Sequence, residues 1–398
     1  MTPSVSAFWR NTPQQRKKPD RSLRFSGSSG AGERAELLRL RFPKNLYAAP
    51  AASASTSAAV SAPAELVDLP TSGQNVVQTA VPLIAGEQMG TWEKYGMNVS
   101  RTHYVSGPPQ LEANPSGDWN IGWIGAPAAI TGVLTYNMKV ISLSGFDYSN
   151  KAFCRADSAL AKAAEGPISE TLGTGDDWKG LTILVGRGTV CDADLMFMLD
   201  KLGLTEDDVN IVNSDIDKGY QAFISGSADV FFASGTYTTD LENDPNYVCC
   251  HTMGGMDAAM SGNIIAEADW LAANEDLVVN YLAGALEVLM WCYDEANLEQ
   301  GANWFSQVML EEFGTEVSAE SALASEKLTK FYDLSFYEDL CEVEENGMTG
   351  MQNMFGTFFD IQVAIGNRDA ADRDAVVAAV DCSYLAKAIE LYKANNGL

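Results

Sequence analysis

Histidine is almost missing from this chain: only His103 and His251 occur in 398 residues, which excludes a multi-histidine metal site. Basic residues are scarce too once the first segment is passed. Of 26 Lys+Arg and 53 Asp+Glu, ten and three fall in residues 1–47, leaving 16 basic against 50 acidic residues downstream. Such a surface repels nucleic acid and anionic lipid, whose phosphates are held by Lys/Arg patches, so a nucleic-acid partner is not expected. The seven cysteines (Cys154, Cys191, Cys249, Cys250, Cys292, Cys341 and Cys382) include no CxxC pair. That excludes a zinc ribbon or thioredoxin motif, and an odd, scattered set argues against a full disulfide framework. They read as small buried apolar groups. No apolar run spans a membrane, and no signal-peptide h-region is visible. Neither a resident metal nor a cofactor is expected.

What is present is a soluble globular composition, 46% apolar and 20% charged, in a chain long enough for two lobes. Residues 1–46 are rich in Arg, Ser and Pro, and AAPAASASTSAAVSAPA follows as a low-complexity tract. Residues 1–66 are therefore expected to be a disordered basic, then Ala/Ser/Pro-rich, tail. Two readings of it stand, a basic tail or misassigned start and an organellar transit peptide. The Ala/Ser tract is like the tether of a surface lipoprotein, although no lipidation cysteine precedes it, Cys154 being the first.

From residue 75 the pattern changes. NVVQTAV reads as a strand, with a turn at Pro82 and a helix to Gly96. MNVSRTHYV alternates as a second strand, and SGPPQLEAN starts a helix with Ser106 as cap. WNIGWIG, APAAITGVLTYN and KVISLSG continue as strand, helix and strand. The alternation predicts a parallel sheet covered by helices on both faces. LTILV, CDADLMFMLDKLGL, VNIVN, DIDKGYQAFISG and ADVFFAS repeat it. Residues 111–127 and 222–236 share a phrase of helix, Ser-Gly, Asp, apolar strand and Gly-containing turn, as two similar α/β lobes would. From Glu267 onward the spacing of Trp270, Leu277, Tyr281, Ala285, Leu289 and Tyr293 marks one long helix. ANWFSQVMLEEFG, ESALASEKLTKFYDL, MTGMQNMFGTFFDIQVAIG and SYLAKAIELYKAN read as bracing helices. The expected architecture is a bilobal domain over 67–398, with lobe 1 at about 75–150 plus the C-terminal helices and lobe 2 at about 178–262.

GEQMGTWEKYGMNVSRTHYVSGPPQLEANPSGDWNIGWIGAPAAI resembles the first lobe of periplasmic-type substrate-binding proteins of the nitrate/sulfonate/taurine importer family. WKGLTILVGRGTVCDADLMFMLDKLGLTEDDVNIVN resembles the family's second-lobe phrase. IIAEADWLAANEDLVVNYLAGALE resembles its return helices, and VDCSYLAKAIE its C-terminal close. The resemblance spans most of 75–395 through the order of its phrases. It implies two doubly wound α/β lobes of the type II binding-protein kind, with C-terminal bracing helices and a ligand cleft between the lobes. It further implies a small-molecule ligand (sulfonate, taurine-like, nitrate or pyrimidine-like) and delivery to an ABC permease with its ATPase. A monomer in the periplasm or on the cell surface, with a lipid anchor as one form of attachment, completes the expectation.

Ligands of open α/β sheets bind beyond the carboxyl ends of the strands. Five turns qualify: Pro82 and Leu83; Gly125, Ala126 and Pro127; Phe146 and Asp147; Gly188, Thr189, Val190, Cys191 and Asp192; and Ser234, Thr236 and Tyr237. Glycines there let backbone N–H groups approach a ligand, and the helix starts favour an anionic group. Thr189 offers a hydroxyl donor, while Asp147, Asp192 and Asp194 suit an amine. Asp192 is equally readable as a helix N-cap, and Phe146 and Tyr237 as core or as an aromatic sandwich. The mixture fits a zwitterion or heteroaromatic amine better than nitrate.

Three enzyme readings compete. GRGTVCD lacks the glycine pattern of a dinucleotide loop. Cys191 at a helix start could serve as the nucleophile of a desulfinase-like enzyme, but Asp192 and Asp194 would raise its pKa and no base is evident. Cys249-Cys250-His251 is similar to part of the cysteine-rich motif of thiamine-pyrimidine synthases without its longer cysteine run, and a buried strand end explains it more simply.

Overall fold

The computed structural model describes residues 65–398 except 257–259 and 365, so the expectations for the tail lie outside the described residues. Residues 65–398 form one compact unit. Eleven strands follow one another: β1 (Val67–Gln74), β2 (Met97–Tyr104), β3 (Ile121–Gly125), β4 (Met138–Asp147), β5 (Lys151–Arg155), β6 (Thr182–Val185), β7 (Asn210–Asn213), β8 (Val230–Ala233), β9 (Tyr247–Thr252), β10 (Met260–Glu267) and β11 (Thr329–Lys330). They build two sheets, ordered β11-β4-β10-β3-β1-β2 and β7-β6-β8-β5-β9.

Each sheet has a parallel core closed by an antiparallel strand from the other half of the chain. β1 lies parallel to β2 and β3, but β10 inserts antiparallel between β3 and β4. In the second sheet β6 is parallel to β7 and β8, while β5 runs antiparallel to β8 and β9. The chain thus crosses between the sheets twice, from β4 to β5 and from β9 to β10. The wholly parallel sheets expected from the sequence are corrected to mixed ones. β5, β9 and β10 went unread because a short apolar run carries no sign of which sheet it joins.

The first strand is a second correction. NVVQTAV is not a strand: β1 precedes it, and the helix Val77–Gln88 takes up its residues with Pro82 inside. Val77, Ala80, Val81, Ile84 and Ala85 keep helical spacing and are all buried, so tertiary burial outweighs both β-branching and the proline. The helix expected from Glu267 is two, Ala268–Ala273 and Glu275–Tyr293, broken where Asn274 donates its side-chain amide to the Trp270 carbonyl at 2.8 Å. ESALASEKLTKFYDL is likewise divided: the helix Ala319–Leu328 ends in β11, and the helix Leu334–Cys341 follows.

The helices after β10 pack on the first sheet. Tyr281 stacks on Trp92 with ring centres 5.1 Å apart and accepts a hydrogen bond from Trp123 Nε1 at 2.6 Å, joining the helix Glu275–Tyr293 to the sheet's own core. Near the chain's end Lys139 of β4 pairs with Asp381 at 2.9 Å, just before the helix Ser383–Asn396. No helix among the described residues is long and apolar enough to cross a membrane.

One bracing residue opposes the fold. Glu326 is 1% exposed, packs against Gly301, and its Oε2 has no hydrogen-bond partner among the described residues. Burial pushes its carboxyl up to about 8. The folded chain therefore holds a proton that the unfolded chain releases above the ordinary glutamate range, and stability declines as pH rises towards 8. Glu326→Gln should raise the melting temperature at pH 8 and make little difference near pH 4.5. Thermal melts at the two pH values check this, and a gain independent of pH would contradict it.

Candidate functional site

Both sheets point the carboxyl ends of their parallel strands at one cavity of about 200 Å³. This is below the roughly 300–1,000 Å³ of pockets for drug-sized molecules, so it suits a small solute. From the first lobe come Gln74, Val76 and Gln78 after β1, Ser106 to Pro109 after β2, Gly125 and Pro127 after β3, and Asp147 at the end of β4. The second lobe contributes residues 186–191 after β6, Asn213, Asp215 and Ile216 after β7, and Phe232 and Ser234 at β8. Among the described residues five helix starts border the space, those of Val77–Gln88, Gly107–Ala113, Ala126–Tyr136, Val190–Lys201 and Ile216–Ile224. Their unpaired N–H groups and dipoles favour negative charge on the ligand.

The glycine turn after β6 is organised by its own side chains. Thr189 caps the helix Val190–Lys201, accepting from Asp192 N at 3.4 Å, and its hydroxyl donates to the Gly186 carbonyl at 2.7 Å. Asp192 accepts from Gly188 N at 2.9 Å and pairs with Arg187 at 3.2 Å. Asp192 is thus neither the cap nor a cavity group, and the Thr189 hydroxyl is spent within the turn. Gly188 has φ 74°, the left-handed region that favours glycine. Arg187, the one cation among the described lining residues, is also held by Glu206 at 3.1 Å.

Asp147 contrasts with this self-contained turn. Its side chain is buried on the cavity wall, and Oδ1 accepts from Ser149 N at 2.7 Å. Burial pushes the carboxyl up, the Ser149 hydrogen bonds oppose that, and the charge of Asp194 adds to it; no basic group takes part. Asn150, three residues on, lies on the crossing segment. It accepts the Cys191 thiol at 3.3 Å, and its carbonyl accepts from Met253 N at 3.1 Å, linking both crossings to the second-lobe helix.

Cys191 has no base beside it. Burial and the Asp194 charge push its thiol well above the usual range, and the thiol donates to Asn150. His251 instead binds Asp194 through Nε2 at 3.2 Å and Thr171 through Nδ1 at 2.8 Å, with the side chains of His251 and Asp194 fully buried. No cluster of metal-ligating side chains occurs among the described residues.

Several expected site residues fall elsewhere. Pro82 and Leu83 lie inside the first helix, in the core, because the strand ends at Gln74 rather than Val81. Ala126 is buried beneath the helix it opens. Phe146 faces away from the cavity, as strand alternation requires of the neighbour of Asp147, and packs edge-on against Tyr332 at 5.7 Å. Thr236 opens the helix Thr236–Asn243. Tyr237 lines a smaller side recess of about 60 Å³, where its hydroxyl donates to Asp217 at 2.7 Å and its ring meets Tyr220 at 4.8 Å. Gly125, Pro127, Asp147, Gly188, Val190, Cys191 and Ser234 are brought together at the cavity. Gln74, Gln78, Asn150, Asn213 and Asp215 were missed; only a correctly placed end of β1 could have pointed to the first two.

Residues 167–295 match the family described as NMT1/THI5 like. A relative from Brucella abortus (strain 2308), named a binding protein, is 27% identical over 301 residues, 73% of this chain and 85% of its own. Among solved structures, this chain is similar to the periplasmic nitrate-binding protein NrtA of Synechocystis PCC 6803, with TM-score 0.64 and 15% identity over 82% of this chain and 89% of that one. It is also similar to the alkanesulfonate-binding protein SsuA of Xanthomonas axonopodis pv. citri bound to MOPS, with TM-score 0.61 and 16% identity over 80% and 99%. These likenesses give the chain the two-lobed binding-protein fold.

Two glycines face side chains of the opposite lobe. A Cβ on Gly125 would stand 3.0 Å from Val190 Cγ2 across the cleft, and one on Gly188 would stand 3.7 Å from Pro108. Gly125→Val should therefore prop the cleft open, lengthening the interlobe distance by about 2 Å or more, and Val190→Ala in the same chain should restore it. Spin-label distances across the lobes read the effect, and an unchanged distance in Gly125→Val would contradict it.

Proposed function

We propose that this protein is the extracytoplasmic solute-binding component of an ABC importer. Its ligand is a small organic solute that carries a cationic nitrogen against Asp147 and an anionic or strongly accepting group towards the helix starts. The observation that carries this reading is Asp147, a carboxyl group buried on the cavity wall with no cation beside it among the described residues. A buried ion is stable only when paired, and a ligand ammonium or protonated heterocycle supplies the partner. Aminosulfonates and aminopyrimidines meet both demands, whereas nitrate meets one.

The protein does no chemistry in this reading. Cleft closure on the ligand supplies affinity, and a permease with its ATPase takes the ligand from a monomeric carrier held outside the cytoplasmic membrane. The idle thiol of Cys191 and the sequestered His251 support it.

Calorimetry of the full chain tests the reading with taurine, an alkanesulfonate of equal length, nitrate and an aminomethylpyrimidine. An amine-bearing ligand should bind at least ~10-fold more tightly than its amine-free analogue, a difference of about 1.4 kcal/mol. Its affinity should rise with pH as Asp147 ionises, then level off. Asp147→Asn should erase that preference while raising the melting temperature of the free protein at neutral pH, because it removes a buried charge. Equal binding of the amine-free analogue would sink the role of Asp147, and Cys191-dependent turnover of a sulfinate would sink the non-catalytic reading.

A further inference from the structure

A pair of thiols meets far along the chain from the cleft residues. Cys341 ends the helix Leu334–Cys341, and Cys382 immediately precedes the helix Ser383–Asn396. Cys341 Sγ lies 3.9 Å from the Cys382 carbonyl oxygen, and Cys382 Sγ lies 3.5 Å from the Leu340 carbonyl oxygen. Each sulfur thus rests on the peptide unit next to the other cysteine. Cys382 Sγ also lies 3.2 Å from Thr349 Oγ1, in a turn tied by the Val343–Thr349 bridge. Cys341 is partly exposed and Cys382 is buried, so one sulfur is open to solvent and the other is placed behind it.

The remaining cysteines differ. Cys191 is occupied with Asn150, and Cys249 with a carbonyl of its own strand. Cys292 is buried in its helix, while Cys154 and Cys250 neighbour each other inside the second sheet with no exposure.

We propose that Cys341 and Cys382 are a disulfide-forming pair that closes when the protein meets a small-molecule disulfide. The Cys341 thiolate attacks that disulfide, forming a mixed disulfide and releasing one small thiol. The Cys382 thiolate then attacks the Cys341 sulfur, the Sγ–Sγ bond forms, and the second small thiol leaves. The two cysteines lose two electrons to the small disulfide, and their two protons end on the released thiols. The contact between the two thiols holds Cys382 below the usual thiol range, with the Thr349 hydroxyl adding to it, and pushes Cys341 above it. The exposure of Cys341 makes it the entry point, and the lowered Cys382 favours the second attack. The bond spans 41 residues of chain and fastens the C-terminal helix to the helix Leu334–Cys341, restricting the unfolded chain.

The test treats the full native chain with oxidised glutathione, then counts alkylatable thiols by intact mass and maps the peptides. The expected result is loss of two of the seven thiols and a peptide joining Cys341 to Cys382. The melting temperature should rise, revert with dithiothreitol, and stay unchanged in Cys341→Ser. Seven free thiols, a glutathione adduct on Cys341 without the cross-link, or a link between other cysteines would overturn the proposal. The wild-type thiol count decides the matter even where the variant fails to fold.

Discussion

A buried carboxylate without a counter-ion is the constraint around which the cleft is organised. Asp147 sits where β4 leaves the first sheet, on the wall shared by both lobes, and only the Ser149 amide and hydroxyl ease its burial. An unpaired ion in such a place costs on the order of several kcal/mol, which the carboxyl partly avoids by holding its proton to higher pH. The cost makes the free protein less stable as pH rises. It also makes any cation that enters the cavity welcome, so binding and deprotonation are linked. Burial pushes the acids nearby up as well, but each has a side-chain partner: Asp192 pairs with Arg187, and Asp194 is hydrogen-bonded to His251.

The position of Asp147 matters as much as its charge. The chain crosses between sheets directly after it, and Asn150 holds that crossing to Cys191 and to the return crossing at Met253. A ligand held by Asp147 is therefore held at the junction of the lobes, where a small rotation changes contacts on both sides. Gly125 and Gly188 leave room for the Val190 and Pro108 side chains of the facing lobe. The carboxylate at the junction and the helix starts around it give the cavity two electrical poles, which suits a dipolar solute.

Much of this was legible before any coordinates. β3, β4, β6, β7 and β8 stand out as short apolar runs and β2 as an alternating one, each followed by a helix or turn, and the turns at their carboxyl ends supply most of the cavity lining. The failures share a physical cause. VDLPTSGQ looks like a loop because Pro70 and Gly73 are poor strand residues, yet it is paired along its length with β2. VVQTAV looks like a strand because valine is β-branched, yet it is buried as a helix. Misplacing that boundary moved the expected contacts from Gln74 and Gln78 to Pro82 and Leu83. Asp192 shows the other limit: a carboxylate at a ligand turn can belong wholly to the turn, and only hydrogen-bond geometry separates it from Asp147.

The most direct measurement is a carbon-13 NMR titration of the Asp147 carboxyl in the full chain, with and without a saturating amine-bearing ligand. The account predicts a carboxyl that titrates above the ordinary aspartate range in the free protein and moves downward when the ligand's cation is bound. An ordinary titration in the free protein, or one that the bound ligand leaves unmoved, would contradict it.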